Sequence, residues 1–138
     1  MGTMEKTEAF VFDIMQPIVI GYDKVSSLIA SALEGGSNYW YSIVRKNKKH
    51  ESDRFMHDIV LNGGSLIITD QDPNDSEGAE YTLDYAAVRR GVERLLKMRT
   101  KDGKRMHRQA LNLIGDNADA ETADCFLQLA LFGEVMYG

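Results

Sequence analysis

The sequence predicts an α+β fold, a small antiparallel sheet packed against about four to five helices with a buried helix near the end of the chain. Three observations carry this expectation. Two β-branched runs, Ser65–Thr69 and Ala79–Leu83, are separated by a polar, turn-rich stretch and read as paired strands. Several other segments carry apolar residues at three-and-four spacing, the period of an amphipathic helix. From Cys125 to Phe132 the chain is apolar almost all round, the pattern of a helix covered on several sides. The order of these elements suits helices laid on a small sheet.

Taken in order, Ala9–Ile20 is rich in Phe, Val and Ile and interrupted by Pro17, which predicts one or two short strands of edge character. From Tyr22, the spacing of Val25, Leu28, Ile29, Ala32 and Leu33 predicts a first helix. Gly35 and Gly36 are expected to end it in the left-handed conformation. Ser37–Val44 then reads as a turn feeding an aromatic, β-branched strand. A second helix is expected over His50–Leu61, with Phe55, Ile59 and Val60 inward and Asn62-Gly63-Gly64 closing it. Asp70–Gly78 reads as an exposed hairpin loop.

Asp84–Arg99 forms a third helix with Val88, Val92, Leu95 and Leu96 as its stripe, and the basic residues near its end suit the helix dipole. Met106, Ala110, Leu111 and Ile114 support a fourth over Lys104–Ile114, stopped by Gly115. Asp119 is a good N-cap for the last, Ala120–Phe132, which ends at Gly133. Residues 1–138 read as one globular domain, a length at which a core forms without disulfides or metal.

Composition excludes more than it assigns. The hydrophobic fraction of 43% and charged fraction of 27% match ordinary globular proteins. No apolar run approaches a membrane span and no signal-peptide pattern opens the chain, while the single cysteine fits a reducing compartment; together these predict a cytoplasmic protein with no membrane partner. A net charge of −5 argues against nonspecific nucleic-acid binding. The basic runs Arg45–His50 and Arg99–Arg105 read as solvated loops, with an anion or phosphate site as the alternative.

Familiar reaction motifs fail on inspection. Asp70-x-Asp72-x-Asn74 opens like a calcium loop, but Asp75 and Tyr81 stand where the required Gly and bidentate Glu belong. His50, His57, His107 and Cys125 lack paired zinc-ligand spacing, so neither a metal nor a cofactor is expected. Ser37 and Ser65 follow glycine pairs without forming a nucleophile elbow, and Gly35-Gly36-Ser37 lacks the Lys of a phosphate loop.

The candidate site residues are polar and aromatic. Glu34 and Glu134 each stand at a helix C-terminus, where the dipole disfavours an acid unless a cation or donor offsets it. Asp124 and Gln128, with Glu121, make the one polar stripe on the last helix. If buried it needs donors, and Asn38, the Tyr39 hydroxyl and the Trp40 indole are available. Alternation along Tyr39-Trp40-Tyr41 places at least one aromatic outside the core, a means of stacking a planar ligand or anchoring a partner.

Ala32-Leu33-Glu34-Gly35-Gly36-Ser37-Asn38-Tyr39-Trp40, with Thr122-Ala123-Asp124, Gln128, Leu131-Phe132-Gly133-Glu134-Val135 and Tyr137-Gly138, resembles the signature of an uncharacterised family of small phage and prophage proteins. The resemblance covers both ends of the domain and the spacing between them, and brings no activity with it. It implies an accessory viral protein in the bacterial cytoplasm, countering host defence or adjusting host metabolism. The leading expectation is a protein that binds a small polar or nucleotide-like ligand without turnover, using Glu34, Asn38, Tyr39, Trp40, Asp124, Gln128 and Glu134, with a homodimer as one arrangement. The alternative is a protein-binding inhibitor of a host defence or metabolic enzyme. A carboxylate-dependent enzyme built on Glu34, Asp124 or Glu134 ranks last, for want of a nucleophile or metal set.

Overall fold

A computed structural model describes residues 2–9, 17–70, 79–97 and 104–138, with the backbone alone for 104–108. The first helix, α1, spans Tyr22–Ser31 and widens into one π turn, Ala32–Gly36, closed by the Ser37 amide donating to the Ala32 carbonyl at 2.8 Å. Leu28, Ile29, Ala32 and Leu33 are buried, as their spacing predicts. The expected left-handed exit is absent, since neither Gly35 nor Gly36 has a positive φ. The wider π turn carries the chain out in right-handed geometry. Gly36 is needed for another reason: a Cβ there would stand 2.5 Å from the Ala120 carbonyl oxygen, whereas Gly35 faces open space.

Strands β1 (Tyr41–Asn47), β2 (Ser65–Asp70) and β3 (Glu80–Leu83) form an antiparallel sheet in the order β1-β2-β3. Ile43 pairs with Ile68, and Leu66 with Leu83, before a bulge between Ile43 and Arg45 leaves Val44 exposed. Arg45 and Lys46 follow on this outer strand, where charge discourages edge-to-edge pairing. Of the stretch expected to hold the first strands, residues 10–16 lie outside the described residues, and Pro17–Ile20 has no regular structure. Residues 71–78 of the expected hairpin loop also lie outside them.

Helix α2 covers Met56–Leu61 only, shorter than expected. Phe55 is 60% exposed and stacks on His57 rather than facing inward, while Ile59 and Val60 are buried. The preceding residues are held instead by a turn, with Asp53 N–H donating to the His50 carbonyl and Asn62 Nδ2 donating to Asp53 Oδ1 at 2.8 Å. Helix α3 (Tyr85–Lys97) is capped by Asp84, which accepts from the Ala87 amide at 2.9 Å; Val88 and Leu95 are buried, Val92 and Leu96 half-buried.

Helix α4 (Lys104–Ile114) keeps its expected bounds but is rotated from the expected face. Ala110 is buried as expected, and Met106 lies outside the residues whose side chains are described, but Leu111 and Ile114 are exposed while Gln109 and Leu113 point inward. A polar contact sets that rotation, because the buried Gln109 accepts the Thr122 hydroxyl of the next helix at 2.5 Å. The left-handed residue after α4 is Asp116 (φ 60°), not Gly115. Helix α5 (Ala120–Phe132) begins at the expected cap, with Asp119 accepting from the Thr122 amide at 2.9 Å, and ends at left-handed Gly133.

Every residue of α5 from Thr122 to Ala130 is buried, making it the spine of the core. It crosses α3 at Gly91, where a Cβ would meet Ala130 Cβ at 2.7 Å, and this close approach lets the two helices interlock. One hydrophobic cluster joins α1, the π turn, Trp40, the sheet, α3 and α5. Among the described residues, no helix is long and apolar enough to cross a membrane.

Candidate functional site

The polar stripe of α5 is buried, and its donors come from the π-turn exit. Asp124 Oδ1 accepts from Ser37 Oγ at 2.8 Å, Trp40 Nε1 at 2.7 Å and Gln128 Nε2 at 3.1 Å, while Oδ2 accepts from the Tyr39 hydroxyl at 2.6 Å. A buried carboxylate requires this many donors to offset its lost hydration. Burial, then the hydrogen bond to Asp124 and its negative charge, pushes the Tyr39 hydroxyl well above the ordinary tyrosine range. Tyr39 therefore stays protonated at neutral pH and serves as a donor rather than a base.

Gln128 extends the network to the segment after α5. Its fully buried amide accepts from the Met136 and Tyr137 amides at 2.7 and 2.8 Å and donates to the Tyr137 carbonyl at 3.1 Å. Tyr137 stacks on Trp40 with ring centroids 5.5 Å apart and planes 7° from parallel, and its hydroxyl donates to Asp70 Oδ2 at 3.1 Å. Phe132 packs against the same indole at 5.1 Å. Residues Val135–Gly138 thus form a strap over Trp40, which is 1% exposed.

The residues predicted to line one pocket divide into two groups. Tyr39, Trp40, Asp124 and Gln128 converge, but in a packed network in which Tyr137 already covers the indole face. Glu34, Asn38 and Glu134 are exposed, and Glu34 and Asn38 lie on the π turn and its exit. Sequence reasoning missed Ser37, Asp70 and Tyr137 as members of the network. A signal for a buried partner was present in Gln128, a long amide one turn beyond Asp124 on an otherwise apolar helix.

Glu134 instead borders an open cleft of about 470 Å³ between α3 and the end of α5, with Arg90, Glu93, Arg94 and Lys97 on one side and Gly133 and Leu129 at its base. Arg90, Arg94 and Lys97 reach one face because they are four and three residues apart on α3. Arg94 Nη1 donates to the Leu129 carbonyl at 2.7 Å, the same oxygen that accepts the helix-ending Gly133 amide at 3.1 Å. The guanidinium lies over Gly133, where a Cβ would stand in ordinary contact at 3.4 Å from Nη1. Lys97 donates to Glu93 at 2.7 Å, and this contact, with the nearby arginines, holds Glu93 below the usual carboxylate range. The cleft thus combines a cation fixed by the backbone, an adjacent arginine and an acceptor carboxylate. Such a set suits a ligand carrying both an anionic group and hydrogen-bond donors.

Two further depressions are less well equipped. The cleft of about 330 Å³ beside α1 is crossed by Lys24, whose ammonium is already held by the Leu113 and Ile114 carbonyls and by Asp116 at 3.1 Å. A groove of about 500 Å³ between α1, α2 and α3 sets Ile18, Val25, Val92 and Leu96 beside Tyr85, Arg89 and Glu93. Compared with the known protein families, the curated proteins and the solved structures, the chain matches none.

Proposed function

We propose that this chain is a phage-encoded accessory protein that binds a nucleotide-like ligand without turning it over, in the cleft between α3 and the end of α5. The observation that carries the reading is Arg94, whose guanidinium is held by the Leu129 carbonyl at 2.7 Å beside Arg90 and opposite Glu134. A pre-positioned guanidinium loses little freedom on engaging a phosphate, and Arg90 lies one helical turn away to share it. Glu134, bordering the same cleft, would accept from sugar hydroxyls or a base amino group. The cleft volume falls within the range of small-molecule sites. In the host cytoplasm, withdrawing a nucleotide from circulation would blunt a defence response or redirect metabolism.

Calorimetry with ATP tests this directly. Wild-type protein binds and returns ATP unchanged, and Arg90→Ala weakens binding about tenfold, equivalent to ~1.4 kcal/mol, with the fold intact. Binding that is absent, or indifferent to Arg90, refutes the site; release of hydrolysed product refutes the claim that ligand is not turned over. A second reading, docking to a host protein, is favoured by the groove between α1, α2 and α3, where the large side chains of Ile18 and Tyr85 are 55% and 58% exposed. Groove-dependent capture of one stoichiometric partner, abolished by Val92→Asp and unaffected by Arg90→Ala, would establish it.

A further inference from the structure

We infer that ligand in the α3–α5 cleft is linked to the seating of the Val135–Gly138 strap on Trp40; the inference rests on reading that cleft as the ligand site. The cleft and the strap meet at Gly133-Glu134. Glu134 borders the cleft, and the chain then runs directly into the residues gripped by Gln128 and stacked on the indole. Gly133, at φ 80°, is the one residue between the end of α5 at Phe132 and Glu134.

The mechanical connection passes through a single carbonyl. Leu129 oxygen accepts both Arg94 Nη1 and the Gly133 amide, so the position of the arginine and the end of α5 are set together. The residue just before Leu129 on the same helix, Gln128, fixes the strap through both the N–H and the carbonyl of Tyr137 and the N–H of Met136. A ligand that engages Arg94 where it now stands, and Glu134 across the cleft, makes its best contacts only while the helix end and the strap root keep this geometry. It therefore favours the seated strap, because a ligand shifts an equilibrium by its differential affinity for the two states. Reciprocity then requires that loosening the strap weaken the ligand by the same factor. This gives the strap a second role beyond covering the indole: it reports the state of a cleft that Tyr137 does not line.

Hydrogen exchange on the full chain reads the linkage without any substitution. With saturating ATP, the Met136 and Tyr137 amides, which donate to Gln128 Oε1, slow by about fivefold or more beyond any change in the β2 amides. In parallel, Tyr137→Ala weakens ATP binding by a similar factor. Tyr137→Phe keeps the ring stacked on Trp40 while giving up the hydroxyl bond to Asp70, so it retains most of the affinity. Should the alanine variant fail to fold, the wild-type exchange experiment and the phenylalanine variant still decide. Calorimetric binding of ATP with unchanged exchange at Met136 and Tyr137 overturns the linkage and leaves the ligand site standing. Absence of ATP binding removes the ligand site, and the linkage with it.

Discussion

Replacing Asp124 by alanine removes one acceptor from four donors, and their surroundings determine the loss. Tyr39 is half-exposed, so its hydroxyl turns to water, and Gln128 Nε2 keeps the Tyr137 carbonyl. Ser37 and Trp40 are buried at 0% and 1% exposure, so their donors lose the acceptor that Asp124 provides. Each stranded donor costs about 1–3 kcal/mol, and the vacated volume adds to the sum, for a total of about 3–6 kcal/mol. Asp124→Asn should be far milder, about 1–2 kcal/mol, because its carbonyl oxygen can keep the Oδ1 donors while its amide donates to the Tyr39 oxygen. Urea unfolding followed by the fluorescence of Trp40, the single tryptophan, measures both. With a slope of about 1–3 kcal/mol per molar urea, the alanine variant loses about 2 M in midpoint. An alanine variant within about 0.5 kcal/mol of wild type would refute the claim that the carboxylate holds these segments together.

Other consequences follow from single positions. Gly36→Ala drives a Cβ onto the Ala120 carbonyl and should destabilise by about 1–3 kcal/mol, while Gly35→Ala, with open space around it, should be neutral or stabilising by about 0.5 kcal/mol; thermal melts of the pair distinguish close approach from backbone freedom. Burial and the bond to Asp124 raise the pKa of Tyr39 above the ordinary tyrosine value of about 10, so the stability it contributes is fully present below about pH 10 and lost as pH rises through the folded pKa; alkaline titration of unfolding free energy should show a decline that Tyr39→Phe reduces. Asp119 behaves oppositely. The Thr122 amide lowers its pKa below 3.8, so its contribution is present above that value and lost as pH falls through the folded pKa, and Asp119→Ala should cost about 1 kcal/mol at pH 7 and flatten the acid limb.

Much of the architecture was legible because it rests on local rules. The Asp119 cap, the all-round apolarity of α5 and the paired runs around Leu66 and Leu83 each express a propensity or period that neighbouring residues set. Where the reading missed, a distant contact had overridden the local signal. Gly35 and Gly36 look alike in sequence, yet only Gly36 faces a backbone oxygen 84 positions away, in Ala120. Leu111 and Ile114 share the helical period of a core face, but the Gln109–Thr122 bond turns α4 so that Leu113 takes the inside. Phe55 lies ahead of a helix that starts one residue later, and its side chain stays outside.

The candidate residues show the same division. From sequence alone came the α+β class, the buried helix and the need of Asp124 and Gln128 for partners, because a polar side chain on an apolar helix must be satisfied wherever it is buried. Tertiary structure alone decided which partners answered: Ser37 rather than Asn38, and Tyr137 rather than a ligand over Trp40. It also decided that Glu134 faces the arginines of α3 instead of the aromatic turn. Hydrogen-bonding capacity is a property of each residue, but which donor reaches which acceptor depends on how helices 30 or more positions apart come to lie together, as Arg94 and Leu129 do across 35.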